Sequence, residues 1–587
     1  MDAPSASHSL GALTLRLVDG DPRRIAFRGI EVLRRLSYPV RDENWGTIPV
    51  ETVSESAECR DGLLDVRRRF ADRDGRFSGT FSLTGEESGD KARLIARLEL
   101  VPRRVFMTNR AGFTLLHPIA GVAGRTLTVT HSGGSVETGA FPERISPAQP
   151  AFDIAALAYD VEGVAVDIRF DGEVFEMEDQ RNWSDASFKT YCRPLSAPWP
   201  YALRPDVPVV QTVTISFAHV ADGAPKAMPR RSALLPQLAL AAEPGLTTRH
   251  DVPGPVLPLR LRLRTDAAGQ VLAPGFRSGP LTLELVLPQG ADPAPALLGV
   301  ARTVEAAGVQ PERVIVLPEV YLKSHQPDGP WPEGPTPADL VDPARAAFPQ
   351  AAIGGGSLTH FTEFNRCPPP TGIAFATFGN AAIVHAADDL SVIETLEALP
   401  AIFDSARALV PATPLHLGLF SIGMRSNPYG ADVIANPLGQ CLPMVRNDPR
   451  QTRCFAAAYA VGVLAAAAEH GVESLALAMT DGPLGCIDDD GPLPIYHVIR
   501  VASGWAGQPA TITQSPDGLV TVYTGRGALV AHLGDSPVTM TPTGQWRQLS
   551  SGTVAAARDP LWTERMPTAT GPATLAPGDV LILEGCV

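Results

Sequence analysis

Cysteine is scarce in this sequence. Cys59, Cys192, Cys367, Cys441, Cys454, Cys486 and Cys586 are scattered along 587 residues without a C-x-x-C pair. An odd, dispersed set argues against a disulfide framework or a cysteine-based zinc module, and a reducing, cytoplasmic setting is the expectation. No apolar run approaches the ~18 residues that suggest a membrane span. The longest candidate, "CFAAAYAVGVLAAAA", is short and alanine-rich. The opening "MDAPSASHSL" lacks a basic segment followed by an apolar one, so no signal peptide is expected. Positive charge is in deficit, with 49 Lys and Arg against 63 Asp and Glu and a formal net charge of −14. Such a surface argues against nucleic-acid or anionic-membrane partners. Several signature motifs are also missing: no Gly-x-Gly-x-x-Gly follows a strand, and there is no P-loop and no H-E-x-x-H. In "LFSIG", Leu419 stands where a serine-hydrolase elbow needs its first glycine before Ser421.

What is present is a large globular chain, 44% hydrophobic, punctuated by 53 glycines and 56 prolines. Its length suggests ~3–4 domains. Residues 10–220 read as strands, among them "LTLRLV", "ARLIARLELVPRRVFMT" and "VVQTVTISF", with turn residues between them. A β-sandwich is expected over residues 1–222, followed by a proline-rich linker over 223–258. From residue 259 strands and helices alternate. "LTLELVLP" precedes a helix capped by Asp292 with Pro293 in its first turn, and "RVIVLPE", "AAIGGGS", "GIAFATF", "PLHLGLFSI" and "ESLALAM" read as further strands. One long helix, opened by Ser391 and kinked at Pro400, is expected between the fourth and fifth of these strands. The pattern predicts a (β/α)₈ TIM-like barrel over 259–508, with a doubly wound sheet as the alternative, and a small C-terminal β-sheet domain over 509–587.

Barrel enzymes place their chemistry at the C-terminal ends of the strands. That rule selects Glu319, Tyr321, Lys323 and His325 after one strand, and His360, Glu363, Asn365 and Arg366 after the next. It then selects His385, Asp388 and Asp389, followed by Arg425, Asn427 and Tyr429, and finally Thr480 and Asp481. Glu319 and Glu363 are the best carboxylate pair for acid–base work, and Arg366, His385 and Arg425 could stabilise an oxyanion. Structural readings compete: Glu363 beside Arg366 suits a salt bridge, Asp388 and Asp448 suit helix caps, and His416 within a strand suits the core. No metal site is predicted, since His360 and Glu363 alone do not make one, and a divalent metal stays open.

Two earlier stretches, "RDENWGT" and "EDQRNWSDASFKTYC", place Asp and Asn just ahead of a tryptophan. Trp45, Glu178, Asp179, Arg181, Asn182 and Trp183 could form a sugar platform, the indoles stacking and the polar groups binding hydroxyls. The same residues could equally brace the β domain.

"RDENWGTIP", "NRAGFTLLHPIAG", "FPERISPAQPAFDI", "EDQRNWSDASFKTYCRPL", "GGGSLTHFTEFNR" and "VHAADDLSVIETLEAL" together resemble the D-apionate lactonase family over residues ~10–505. The resemblance implies an N-terminal β domain, a barrel and a small C-terminal β domain. It implies a hydrolase opening the sugar lactone D-apionolactone to D-apionate in sugar-acid catabolism. "LALAMTDGPLG" departs from the pattern: an acid followed by Thr-Thr-Gly is expected there, whereas Met479 and Thr480 precede Asp481. The expected function is lactone hydrolysis with Glu363 or Glu319 as base. Arg366, Arg425 or His385 would face the oxyanion, and Asn365, Asp388, Asn427, Tyr429 and Asp481 would serve as substrate contacts. A glycoside hydrolase using paired carboxylates and a non-catalytic carbohydrate-binding protein are the alternatives. The expected partner is a small-molecule lactone, no cofactor is predicted, and self-association into a homo-oligomer stays open.

Overall fold

The computed structural model describes residues 5–60, 62–220, 231–272, 276 and 279–584. Cys586 and residues 223–230 of the expected linker lie outside them. The chain forms two compact units, Met1–Arg181 with Ala186–Lys226, and Asn182–Asp185 with Ala227–Val587.

The first unit is built on one sheet of sixteen strands, antiparallel throughout, with Ser5–Leu10 at one end of its main path and Val50–Arg60 at the other. Alternation sets its faces: in Lys91–Pro102 every second residue is buried. The sheet folds over on itself. Strands Asp21–Phe27 and Val209–His219 lie seven places apart in the sheet order, which a flat sheet would spread over roughly 34 Å at ~4.8 Å per strand. Yet the Phe27 and Phe217 rings stack with centroids 6.2 Å apart, and Tyr38 stacks on Phe81 at 4.6 Å. One aromatic core therefore lies within the fold of the sheet.

The second unit contains a closed parallel barrel. Its strands are β1 (Gln237–Ala242), β2 (Leu259–Arg264), β3 (Leu281–Leu287), β4 (Pro311–Pro318), β5 (Ala352–Ile353 continued by Gly355–His360), β6 (Ala376–Ala381), β7 (His416–Ser421) and β8 (Ser474–Met479). Each pairs in parallel with the next, and β8 returns to β1. β5 changes partner at its break: its first part pairs with β4 and its second with β6. Gly356 sits there at φ +127°, where a Cβ would lie 2.2 Å from the Thr377 carbonyl oxygen, so only glycine fits.

Two expectations are corrected here. The stretch expected as linker contains β1, whose "LALAA" is wholly buried, and Arg231–Leu234, a strand pairing with Pro509–Gln514. Short apolar segments among prolines were not legible as strands. The long kinked helix is instead two helices, Asp389–Glu394 and Leu399–Leu409, joined by a 3₁₀ turn. Pro400 lies in the first turn of the second helix, where its missing N–H costs no hydrogen bond. Asp292 caps Pro293–Ala306 as read from the sequence.

Residues beyond the barrel add strands Pro509–Gln514, Leu519–Thr524, Gly527–His532, Gln545–Leu549 and Val580–Glu584, which with Arg231–Leu234 form a six-stranded antiparallel sheet. The alanine-rich run is helix Cys454–Glu469, buried on every side. A Cβ at its Gly462 would meet the side-chain ends of Leu396 at 2.5 Å and Leu533 at 3.1 Å, so those leucines would have to shift.

Candidate active site

The lumen of the barrel is charged. β2 reads "LRLRLR", and a period of two sends Arg260 and Arg262 to one face and the leucines to the other. Both arginines are buried. Arg260 donates to Glu284 Oε1 (2.9 Å), Thr377 Oγ1 (2.8 Å) and the His416 carbonyl (3.1 Å). Arg425, just past β7, donates to Glu284 Oε2 (2.9 Å), Glu243 Oε2 (2.6 Å) and the Ala242 carbonyl (3.2 Å). Burial opposes ionisation of Glu284, but Arg260, Arg425 and Arg262 outweigh it and hold the carboxyl down at about 2. Arg262 donates to the Leu358 carbonyl. Its Nε lies 3.5 Å from Glu284 Oε2 and makes no hydrogen bond.

Arg262, Arg425 and Glu284 wall a small recess together with His360, Asn380 and Ser426. His360 ends β5. Burial, then the Arg262 charge, pushes its imidazole down to about 4, so the ring is neutral at pH 7. Its Nδ1 is 3.2 Å from the Tyr429 hydroxyl. A second small recess is walled by Tyr321, Lys323, His325, Trp331, Glu363 and Arg366.

Ser357 lines both recesses and starts a hydroxyl chain. Thr359 Oγ1 donates to Glu363 Oε2 (3.0 Å), which also accepts the His360 N–H (3.0 Å) as a cap of helix Phe361–Arg366. Thr359 has one hydroxyl proton and gives it to Glu363. The 2.8 Å contact between the Ser357 and Thr359 hydroxyls is therefore donated by Ser357. Glu363 Oε1 is buried, and among the described residues no partner meets it in strict hydrogen-bond geometry. Burial raises the Glu363 carboxyl above its ordinary value, against the pull of the His360 N–H and of the Ser324 and Thr359 hydroxyls.

Asn182–Asp185 belong to the same unit as the barrel. Thr362 Oγ1 donates to the Asn182 carbonyl (2.6 Å), and Asn365 Nδ2 to Asn182 Oδ1 (2.8 Å). Ser184 donates to Asn380. Asp185 Oδ2 lies 2.6 Å from His385 Nδ1. The Trp183 ring stands edge-on to His385 (5.8 Å) and Tyr429 (6.5 Å), with the Arg366 guanidinium over it at 5.2 Å. Glu363, Arg366, His385, Asn365, Tyr429, Asn182 and Trp183 are thus gathered around β5, β6 and β7.

Other candidates are engaged elsewhere. Glu319 is 39% exposed beyond β4, paired with Arg264, and lines neither recess. Asp388 accepts the Ser391 N–H and caps its helix. Asn427 bonds the Asp432 carbonyl and the Tyr429 N–H within its own loop. Asp481 accepts the N–H groups of Thr248 and Arg249 and holds the loop after β1. In the first unit, Asp179 binds Arg181 and the Ser146 N–H; Arg181 also donates to the Pro142 and Glu143 carbonyls, and both are fully buried. Glu178 pairs with Lys189, and Trp45 carries Arg110 over its ring at 5.3 Å. Among the described residues no three His, Cys, Asp or Glu side chains converge as a metal site, and no helix is long and apolar enough to cross a membrane.

Sequence reasoning passed over Arg260, Arg262, Glu243, Glu284, Ser357, Thr359 and Asp185. A signal existed for the first two: arginine at every second position of a barrel strand has to line the lumen or face the helices. The partners come from other strands and carry no spacing signature.

A family model described as the TIM barrel domain of D-apionate lactonase matches residues 266–507, and one for its N-terminal domain matches residues 1–220. The chain belongs to the D-apionate lactonase family. A D-apionate lactonase from Brucella anthropi is 34% identical over 566 residues, covering 90% of this chain and 93% of that one. Among solved structures, a GH36 alpha-galactosidase from Geobacillus stearothermophilus aligns over 99% of this chain and 98% of its own at 10% identity and a TM-score of 0.26. A Synechocystis protein aligns over 37% of this chain and 97% of its own at 11% identity and a TM-score of 0.27. For the D-apionate lactonase family, the match to the barrel model spans Glu319, Glu363, Arg366, His385 and Arg425.

Proposed function

We propose that this chain is a lactonase that opens D-apionolactone to D-apionate. The 34% identity to the Brucella anthropi D-apionate lactonase across nearly the whole chain carries the reading. A water molecule in the arginine-walled recess attacks the lactone carbonyl carbon. Its proton passes to Ser357, the Ser357 proton to Thr359, and the Thr359 proton to Glu363, the general base. The hydroxyl chain is oriented for that direction, and the burial-raised carboxyl suits a base. The carbonyl oxygen takes up negative charge facing Arg262 and Arg425. Collapse breaks the ring C–O bond; the alkoxide takes back the proton held by Glu363, and the new acid releases a proton to solvent. The balance is lactone plus water to hydroxy-carboxylate plus a proton. Arg366, stacked over Trp183, borders the second recess, to which the sugar is assigned, and Asp185 holds His385. No cofactor takes part in this scheme.

The same reading divides the chain into an N-terminal β-sandwich, a barrel beginning at β1 and a C-terminal β domain over 509–587. The folded-over sheet and the six-stranded sheet support it. The protein acts in the cytoplasm on a small molecule.

The test is a lactone panel that includes D-apionolactone, followed by pH-stat titration. Acid release from D-apionolactone is expected to be fastest. Absence of acid release from every lactone, or release of sugar from an aryl glycoside instead, overturns the reading.

A further inference from the structure

We propose that the recess walled by β2, β5, β6 and β7 is an anion subsite centred on Arg262, which holds the carboxylate of the ring-opened sugar acid. The inference rests on the lactonase reading and names what that site binds after turnover.

The argument starts from charge. Buried Arg260, Arg262 and Arg425 pair in this network with buried Glu284 and half-buried Glu243, an excess of one positive charge. His360, the other titratable group on the recess wall, is neutral and does not change the balance. An uncompensated buried cation is costly, so such a network favours a state that brings in an anion.

Donor geometry identifies which arginine receives it. Arg260 reaches Glu284, Thr377 and His416, and Arg425 reaches Glu243, Glu284 and the Ala242 carbonyl, so both guanidinium groups are tied on every nitrogen. Among the described residues Arg262 makes one hydrogen bond, to the Leu358 carbonyl. Its Nη1 lies 3.6 Å from Glu243 and its Nε 3.5 Å from Glu284, both outside hydrogen-bond geometry. Arg262 also lines the open recess, beside Asn380 and Ser426. A planar fork whose Nε and Nη1 are only loosely ion-paired, at 3.5 and 3.6 Å, matches a carboxylate in two-point contact. A neutral lactone gains this interaction only as charge develops on its oxygen, and the open acid gains it fully.

The experiment uses the intact chain and sodium D-apionate, with the corresponding uncharged alditol as control. Wild type is expected to bind the acid at least about tenfold more tightly than the alditol by calorimetry, the scale of one charge-assisted hydrogen bond. Arg262→Met is expected to remove that preference, and Arg262→Lys to keep part of it. Arg264→Gln, at the exposed mouth, is expected to keep all of it. If Arg262→Met does not fold, D-apionate and the alditol tested as inhibitors of lactone hydrolysis by wild type still decide: competitive inhibition by the acid and none by the alditol is expected. Equal binding of acid and alditol, or an unchanged preference in folded Arg262→Met, overturns the subsite. Tight, Arg262-dependent binding of D-apionate by a chain that hydrolyses no lactone overturns the lactonase reading and leaves the subsite standing.

Discussion

Glu284 stands between two arginines, its Oε1 2.9 Å from Arg260 Nε and its Oε2 2.9 Å from Arg425 Nη1. One carboxylate in the lumen thus ties β2 to the loop after β7. Burial works against its ionisation and the three arginines override it, which makes Glu284 an electrostatic keystone of the barrel.

Glu284→Gln leaves buried arginines short of their counter-charge. A loss of about 3–5 kcal/mol is expected, the scale for breaking one side of a buried pair, read as a lower midpoint in urea. The sign of the pH dependence follows from a depressed carboxyl. Its contribution is present above the unfolded value near 4.5 and is lost as pH falls toward about 2. Wild type should therefore lose stability over that window more steeply than Glu284→Gln.

Glu363 titrates in the opposite sense. A raised carboxyl contributes stability below its unfolded value of 4.5 and loses it as pH rises through the folded value. Glu363→Gln keeps a cap acceptor and should be as stable as wild type, or more so, at pH 7. Its kcat should nonetheless fall by roughly 10²–10⁴, the usual worth of a general base. Unchanged lactone hydrolysis would remove Glu363 from the reaction.

Thr359→Val separates relay from packing. The substitution preserves shape and cuts the hydroxyl chain between Ser357 and Glu363. If protons pass along that chain, kcat drops about tenfold or more with KM little changed, and Thr359→Ser restores it. A rise in KM alone would assign Thr359 to substrate packing.

Glu319 provides the contrast. Exposed and paired with an exposed arginine, it should tolerate alanine with less than about 1 kcal/mol lost in stability, as surface pairs do. Less than a twofold change in kcat is expected. A large loss would revive the paired-carboxylate mechanism.

Exhaustive dialysis against a chelator should leave D-apionolactone hydrolysis intact, measured by pH-stat before and after. Loss of activity restored by one divalent ion would place a metal in the reaction.

Much of the architecture was legible because its signals are local. Asp292 before Pro293, and six-residue apolar strands such as "SLALAM", announce themselves without partners. β1 was not legible, because a short buried strand amid prolines has the composition of a connection. At the site, strand ends pointed to Glu363, Arg366 and His385, which gather around β5 to β7, and to Arg425, which turns to Glu243 and Glu284. The rule could not reveal that Asp481 and Asn427 hold loops, nor that the lumen carries Arg262. Those facts depend on which strand lies opposite which, and only closure of the ring decides that. The motif around Trp183 proved to be divided: Asp179 and Arg181 bond within the first unit, and Asn182 to Asp185 bond among barrel residues.

The six-stranded sheet after the barrel borrows Arg231–Leu234 from in front of it, and the all-buried alanine helix Cys454–Glu469 has no polar side to offer water. The terminal sheet therefore leans on a strand and a helix that precede it in the chain. A chain ended at residue 508 would strip five strands from that sheet and leave the helix with an oily flank, so it should come out of cells as aggregate. The intact second unit should melt in a single calorimetric transition, its barrel strands and its last strand lost together.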